Sequence, residues 1–195
     1  MSTTAMPPPA AGPRVKRWTV AEFHQLGDLG LFEGRRASLI DGQIIEEGPM
    51  NPPHRLALEL TDVAVRTVFG TGWRVCVQMP LVLGQTTDPE PDIAIIPGSP
   101  RGQTSHPGTA ALVIEVADSS LTHDQTVKAE QYARAGIADY WILDVDGKRL
   151  LVLRDPYQHP AGGYTFRTHL ALGPTDTIAP LAIPNASIRV ADLLP

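Results

Sequence analysis

The sequence predicts an α/β (α+β) domain, a mixed central β-sheet flanked by helices. Three observations point there. Helix-type and strand-type patterns alternate along the chain rather than falling into separate halves. Ala111 to Val116 is a nearly continuous apolar run, as expected of a central strand covered on both faces. Asp-Gly pairs at Asp41-Gly42 and Asp146-Gly147 sit between strand-like segments, where they favour tight hairpin turns. With 195 residues and 43% apolar composition, one domain with a substantial core is expected, over 15–195.

The elements follow in order. Residues 1–14 are rich in Pro, Ala and Thr without periodicity, so a mobile tail is expected. A helix is expected over Trp18 to Leu26, opened by a Thr19/Glu22 capping box and closed by Gly27. Ala37 to Ile45 reads as two short strands around Asp41-Gly42. Met50 to Pro53 breaks the chain, and His54 to Phe69 reads as a helix with Leu56, Leu60, Val63 and Val68 on its apolar face. Trp73 to Val77 alternates like a half-buried strand, with Leu81 to Leu83 as its continuation. The rigid turn Asp88-Pro89-Glu90-Pro91 feeds a strand over Asp92 to Ile96, and the Pro-, Gly- and Ser-rich stretch 97–109 is a loop. After the apolar run, Thr122 to Ala135 is a helix ended by Gly136. Tyr140 to Leu143 and Leu150 to Leu153 form a hairpin, and Tyr164 to Leu170 is a further strand.

Composition narrows the function. The net charge of -5 is unlike a protein that binds nucleic acid by charge alone, so positive charge must be local or a metal must offset an acidic site. Arginine outnumbers lysine 13 to 3, which reads as a composition bias. Cys76 is the only cysteine, which excludes an intrachain disulfide and a cysteine-based zinc site; between Val75 and Val77 it reads as a small buried hydrophobe. No signal-peptide pattern and no membrane-length apolar run is present, so a soluble cytoplasmic protein is expected.

The candidate chemistry lies in three successive segments. Asp92 leaves the Pro-rich turn, at the mouth of a strand where its side chain could face solvent. Glu115 stands between Ile114 and Val116 in the apolar run, where a charge costs several kcal/mol unless paired or metal-bound. Lys128 lies on the helix that must pack back on the sheet. Asp92, Glu115 and the Val116 carbonyl could give three oxygens to magnesium or manganese, which keep several waters and often use one or two carboxylates. Lys128 could then position an attacking water or hold a phosphate, which is the chemistry of a metal-dependent nuclease. Plainer readings stand beside this one: a turn role for Asp92, a structural ion pair between Glu115 and Lys128, and an Asp124–Lys128 pair on the helix surface at i,i+4 spacing. His54, at the start of its helix, could face a phosphate or be a capping or partly buried histidine. Glu90 and Gln131 flank the acids and the lysine as secondary candidates. His24, His106, His123, His159 and His169 show no ligand spacing, Tyr140 and Trp141 read as core, and the Arg35-Arg36 and Arg14-Lys16-Arg17 clusters read as solvated surface.

At these residues the chain resembles the PD-(D/E)XK nuclease superfamily. More closely, it resembles the branch of restriction endonuclease relatives called the Uma-two family, over roughly residues 17–155. The matching segments are Arg17-Trp18-Thr19-Val20-Ala21-Glu22-Phe23, Leu39-Ile40-Asp41-Gly42, Pro89-Glu90-Pro91-Asp92, Val113-Ile114-Glu115-Val116, and Lys128 with the run Tyr132 to Ile142. The resemblance implies a restriction-endonuclease-like fold, a magnesium-dependent phosphodiesterase site acting on DNA, and a homodimer. It matches Asp92 and Glu115 to the metal-binding acids. Ala117 stands where the strict motif has its lysine, which this branch moves to the following helix, at Lys128. Ser38 departs from the branch, which commonly has an acid just before Leu-Ile-Asp-Gly; Glu33 or Glu46 could substitute in space. That departure keeps a second reading open, a weakened or inactive dimeric DNA-binding module of the same fold.

Overall fold

The computed structural model describes residues 12–101 and 103–195; the tail expected over 1–14 lies outside the described residues as far as residue 11. Helix α1, Val20–Asp28, opens on the expected capping box: the Thr19 hydroxyl accepts from the Glu22 N–H, and the Glu22 carboxylate accepts from the Thr19 N–H. The helix passes Gly27 by one residue. Strands β1, Arg36–Ile40, and β2, Gln43–Glu47, form an antiparallel hairpin. Its turn puts Asp41 at φ 47° and Gly42 at φ 74°, the left-handed pair that a two-residue hairpin turn needs. A Cβ at position 42 would sit 2.8 Å from the Arg17 Cβ, so close approach as well as backbone angle requires glycine.

Helix α2, Pro52–Phe69, begins two residues earlier than the proline pair suggests. Asn51 caps it by accepting from the His54 N–H, and proline is well suited to a first turn, whose N–H groups have no helical partner. The expected apolar face is only partly right. Ala57, Leu58, Val65 and Phe69 are buried, while Leu56 is 45% and Val63 64% exposed. Small residues such as Ala57 and Thr61 let the helix lie close to the sheet, and a search for large apolar residues passes over them.

Six strands make the central sheet in the order β3-β4-β5-β6-β7-β8. They are β3 Trp73–Val77, β4 Ile93–Pro97, β5 Leu112–Ala117, β6 Asp139–Asp144, β7 Arg149–Gln158 and β8 Tyr164–Leu172. Only β5 and β6 run parallel, and their connection is the helical segment 121–134, as a parallel crossover requires. That segment is not one regular helix. It comprises α3 Leu121–His123, a π-helical turn Asp124–Lys128 and α4 Ala129–Arg134. Leu81 to Leu83 does not extend β3. Gln78 turns to φ 49° and Pro80 lacks an N–H, so these residues instead bond to Pro89, Pro107 and Thr87. Two short strands, β9 Thr177–Ile178 and β10 Ile188–Arg189, pair near the C-terminus.

The two faces of the sheet bury different residues. Ile93, Ile95, Leu112, Ile114, Trp141 and Leu143 pack with α2 and the C-terminal Val190 and Leu193. Ala94, Ile96, Val113, Ala117, Tyr140 and Ile142 pack with Tyr132 and Ala133 of α4. Period-two alternation therefore sets Glu115 on the α4 side, among Val113 and Ala117. Cys76 is a free thiol, 2% exposed, on that same side.

Candidate metal and catalytic centre

Strand register brings the first two acids together. Ile93 pairs with Ile114, so one further step toward the start of β4 sets Asp92 beside Glu115. The contacts agree: the Asp92 N–H donates to Glu115 Oε2 at 3.4 Å, and the Val116 N–H donates to Asp92 Oδ2 at 2.9 Å. The crossover then delivers Lys128. Its Nζ lies 3.0 Å from Glu115 Oε2 and 3.4 Å from Asp124 Oδ1. Tyr132, one turn further, donates its hydroxyl to Glu115 Oε1 at 2.7 Å.

All four ionisable groups are buried: Asp92 is 4% exposed, Glu115 1%, Asp124 1% and Lys128 9%. Asp92 and the Asp124–Lys128 pair both differ from their sequence expectations. Asp92 does not face solvent, because its carboxylate turns inward to cap the Val116 N–H and lies within reach of His54 Nε2 at 3.4 Å and Gln78 Nε2 at 3.3 Å. Asp124 and Lys128 are not a surface pair. The face that carries them, joined by the π turn, is turned to the sheet, and Ser120 Oγ donates to Asp124 Oδ2 at 2.5 Å.

Burial and crowding set the charge states. Burial, with Asp92 and Asp124 close by, pushes the Glu115 acid up to about 8 against the pull of Lys128. Burial also raises Asp124. Burial works to raise Asp92 too, but His54 and the Val116 N–H outweigh it and the acid is lowered. Lys128 is held more firmly protonated than a free lysine: burial opposes its charge, and the surrounding acids, Glu115 first, more than compensate. Three acids thus crowd around one ammonium: Asp92 gives up its proton readily, while burial favours the proton on Glu115 and Asp124.

A cleft of about 290 Å³ opens onto this core, walled by Arg36, Glu47, His54, Asp92, Glu115, Val116 and Lys128 among others. Among the described residues, no group of three or more His, Cys, Asp or Glu side chains is arranged to hold a metal ion by itself. Asp92 and Glu115, side by side at a cleft that Val116 also lines, are oxygen donors that fit a hard cation keeping much of its water, with Glu115 giving up its proton as the cation binds.

The remaining candidates separate. His54 lines the cleft. Glu90 does not: it lines a second cleft with His24, Asp88 and His106, and burial raises its acid. Gln131 points to a small pocket with Asp41 and Arg134. Tyr140 and Trp141 are core, with Tyr140 donating to the Asp124 carbonyl and Trp141 to Asp139. Of the acids that could stand in for one at Ser38, Glu46 is drawn off by Arg35 at 2.6 Å. Glu46 and Glu47 both line the cleft, but it is Glu47 that is tied to Ser38, its Oε1 accepting from Ser38 Oγ at 3.2 Å. Strand alternation would have separated Glu46 from Glu47, since Ser38 and Glu47 stand diagonally across the hairpin.

The family described as "Putative restriction endonuclease", Uma2, matches residues 20–191. The chain belongs to the Uma2 family. A structure described as a "putative nuclease belonging to DUF820", from Anabaena variabilis, superposes on 90% of this chain and 96% of its own with a TM-score of 0.69 at 15% identity, which shows a shared fold. The type IIG restriction endonuclease BpuSI is similar over 55% of this chain and 12% of its own, at 17% identity and a TM-score of 0.35. No curated protein matches the chain. The Uma2 match spans the hairpin, the two acid-bearing segments and the crossover helix, so every wall of the cleft lies within it. Among the described residues no helix is long and apolar enough to cross a membrane.

Proposed function

We propose that this Uma2 protein is a magnesium- or manganese-dependent endonuclease that hydrolyses phosphodiester bonds in DNA. The observation that carries the reading is the convergence of Asp92, Glu115 and Lys128 on one cleft, with Lys128 Nζ 3.0 Å from the Glu115 carboxylate. Asp92 and Glu115, with the Val116 carbonyl, would hold the cation. A hard divalent cation, when bound, lowers the pKa of its water and offsets charge growing on a phosphate.

The protein's own groups do the rest. His54 and Gln78 fix the Asp92 carboxylate from one side and the Val116 N–H from the other. Tyr132 orients Glu115 from below. Lys128, flanked by acids, keeps its proton, so it serves as a fixed positive charge and hydrogen-bond donor toward water or a phosphate oxygen, not as a base. A second reading, a DNA-binding module with catalysis lost, draws on the closeness of the Glu115–Lys128 pair, which already neutralises part of the site. Supercoiled plasmid decides between them. The endonuclease reading expects nicking or linearisation with Mg2+ or Mn2+, lost in Asp92→Ala and Glu115→Ala. Retarded DNA that stays intact even with Mn2+ would favour the module.

A further inference from the structure

Glu47 ends β2 at the mouth of the cleft, on the wall across from the sheet. Both of its carboxylate oxygens are held. Oε1 accepts from Ser38 Oγ at 3.2 Å, and Oε2 pairs with the Arg36 guanidinium at 3.0 Å. Arg36 stands directly opposite Glu47 in the hairpin, and by itself that pair would be an ordinary cross-strand ion pair worth about 0–1 kcal/mol.

Two features take it further. Ser38 is 1% exposed, yet its hydroxyl spends its one proton on Glu47 while accepting from the Glu90 N–H at 3.4 Å. A buried hydroxyl used this way fixes the direction of a long side chain that would otherwise swing freely. Glu47 also lines the same cleft as Asp92, Glu115 and Lys128. The hairpin itself is tied to the chain entering β4, through paired bonds between Leu39 and Asp88 at 2.7 and 3.1 Å, so the acid sits on a fixed wall.

We propose that Glu47, aimed by Ser38, is the hairpin-side acid of the cation site, holding through water the side of the cation that Asp92 and Glu115 leave uncovered. A cation that keeps most of its water needs such anchors, because its waters are as much part of the site as its direct ligands. This rests on the metal-dependent reading above.

The experiment is calorimetric titration of Mn2+ into the full chain for wild type, Asp92→Ala, Glu47→Gln, Ser38→Ala and the Glu47→Gln/Ser38→Ala double variant, beside urea unfolding of each without metal. The expected result is an affinity about 10-fold or more weaker in Glu47→Gln, with the metal-free unfolding midpoint unchanged. Ser38→Ala should weaken binding less, and should add nothing once Glu47 is gone. Wild-type affinity in Glu47→Gln, with binding lost in Asp92→Ala, would overturn the role of Glu47 and leave the metal site standing. Additive losses in the double variant, or a Glu47→Gln defect that merely follows a lowered metal-free midpoint, would also overturn it. A wild type that binds no Mn2+ would remove both the site and this role.

Discussion

Strands β5 and β6 lie side by side, and each carries a fully buried acid with opposite consequences. Asp139, at the start of β6, is 0% exposed and completely answered. Arg154 donates to it from Nε at 2.7 Å and Nη2 at 3.2 Å, Trp141 Nε1 at 2.7 Å and the Leu181 N–H at 2.8 Å. Glu115, on β5, has one ammonium, one phenol and a long backbone contact, and it shares the ammonium with Asp124 while Asp92 crowds it. The first arrangement joins the sheet to the C-terminal segment. The second is short of partners, so burial and the acids beside it hold a proton on Glu115, and it opens on a cleft. A buried carboxylate is therefore no sign of function by itself. What separates the two is whether its partners balance it.

Stability should split the pair most sharply. Asp139→Ala strands the Arg154 guanidinium, and its loss is expected to cost about 3–5 kcal/mol in urea unfolding. Glu115→Gln removes a crowded acid and keeps an acceptor for Tyr132, so it should stay within about 1 kcal/mol of wild type. A Glu115→Gln chain as damaged as Asp139→Ala would make the two acids alike and erase the comparison.

Activity should split them the other way. Lys128→Met removes the fixed charge of the cleft and should lower plasmid nicking by about 100-fold or more, a loss of roughly 2.7 kcal/mol or more. The magnitude is read from initial rates at saturating Mn2+. A substitution at Asp139 mild enough to fold, such as Asp139→Asn, should leave the rate per folded molecule near that of wild type.

The pH dependence of stability sharpens the contrast further. In chelator, the folded chain holds a proton on Glu115 up to about 8, where the unfolded chain releases it near 4.5. The folded state thus binds more protons in that window, so stability falls as pH rises from about 4.5 to about 8. Asp124, also raised, adds to the same slope just above 3.8. Asp92 is lowered, so its contribution is lost only as pH falls below 3.8. Urea midpoints of metal-free wild type should decline across the window, and Glu115→Gln should flatten most of the decline.

The smallest effect expected is at Tyr132. Tyr132→Phe removes one hydrogen bond to Glu115 and should cost about 1–2 kcal/mol, with no new cavity. A larger loss in nicking than in stability would place the phenol among the groups that orient the acid for catalysis.

Much of this was legible in the sequence where one residue type has one plausible physical use. The capping box at Thr19 and Glu22, the Asp41-Gly42 turn and the apolar run around Glu115 all announced their elements, and an acid inside such a run announced a tension. Other features depend on contacts that no local pattern holds. The inward turn of Asp92 follows from the register of β4 on β5 and from His54 and Gln78 beside it. The burial of Asp124 follows from which face of the crossover helix meets the sheet, and its spacing from Lys128 is the same on a solvated face. The buried face of α2 is Ala57, Leu58, Thr61, Val65 and Phe69, two of them small residues that carry little hydrophobic signal. Glu47 and Glu46 both line the cleft, and strand parity gives them different partners, Ser38 for Glu47 and Arg35 for Glu46, which only the hairpin register reveals.

The central claim is that Asp92 and Glu115 together make a place for a divalent cation. Its most direct test is the heat of Mn2+ binding to the metal-free chain, compared between wild type and Asp92→Ala at matched folded fractions. Wild type should bind saturably, with protons released as Glu115 ionises, and Asp92→Ala should show no measurable binding. Identical isotherms for the two chains, whether both bind or neither does, would contradict the claim.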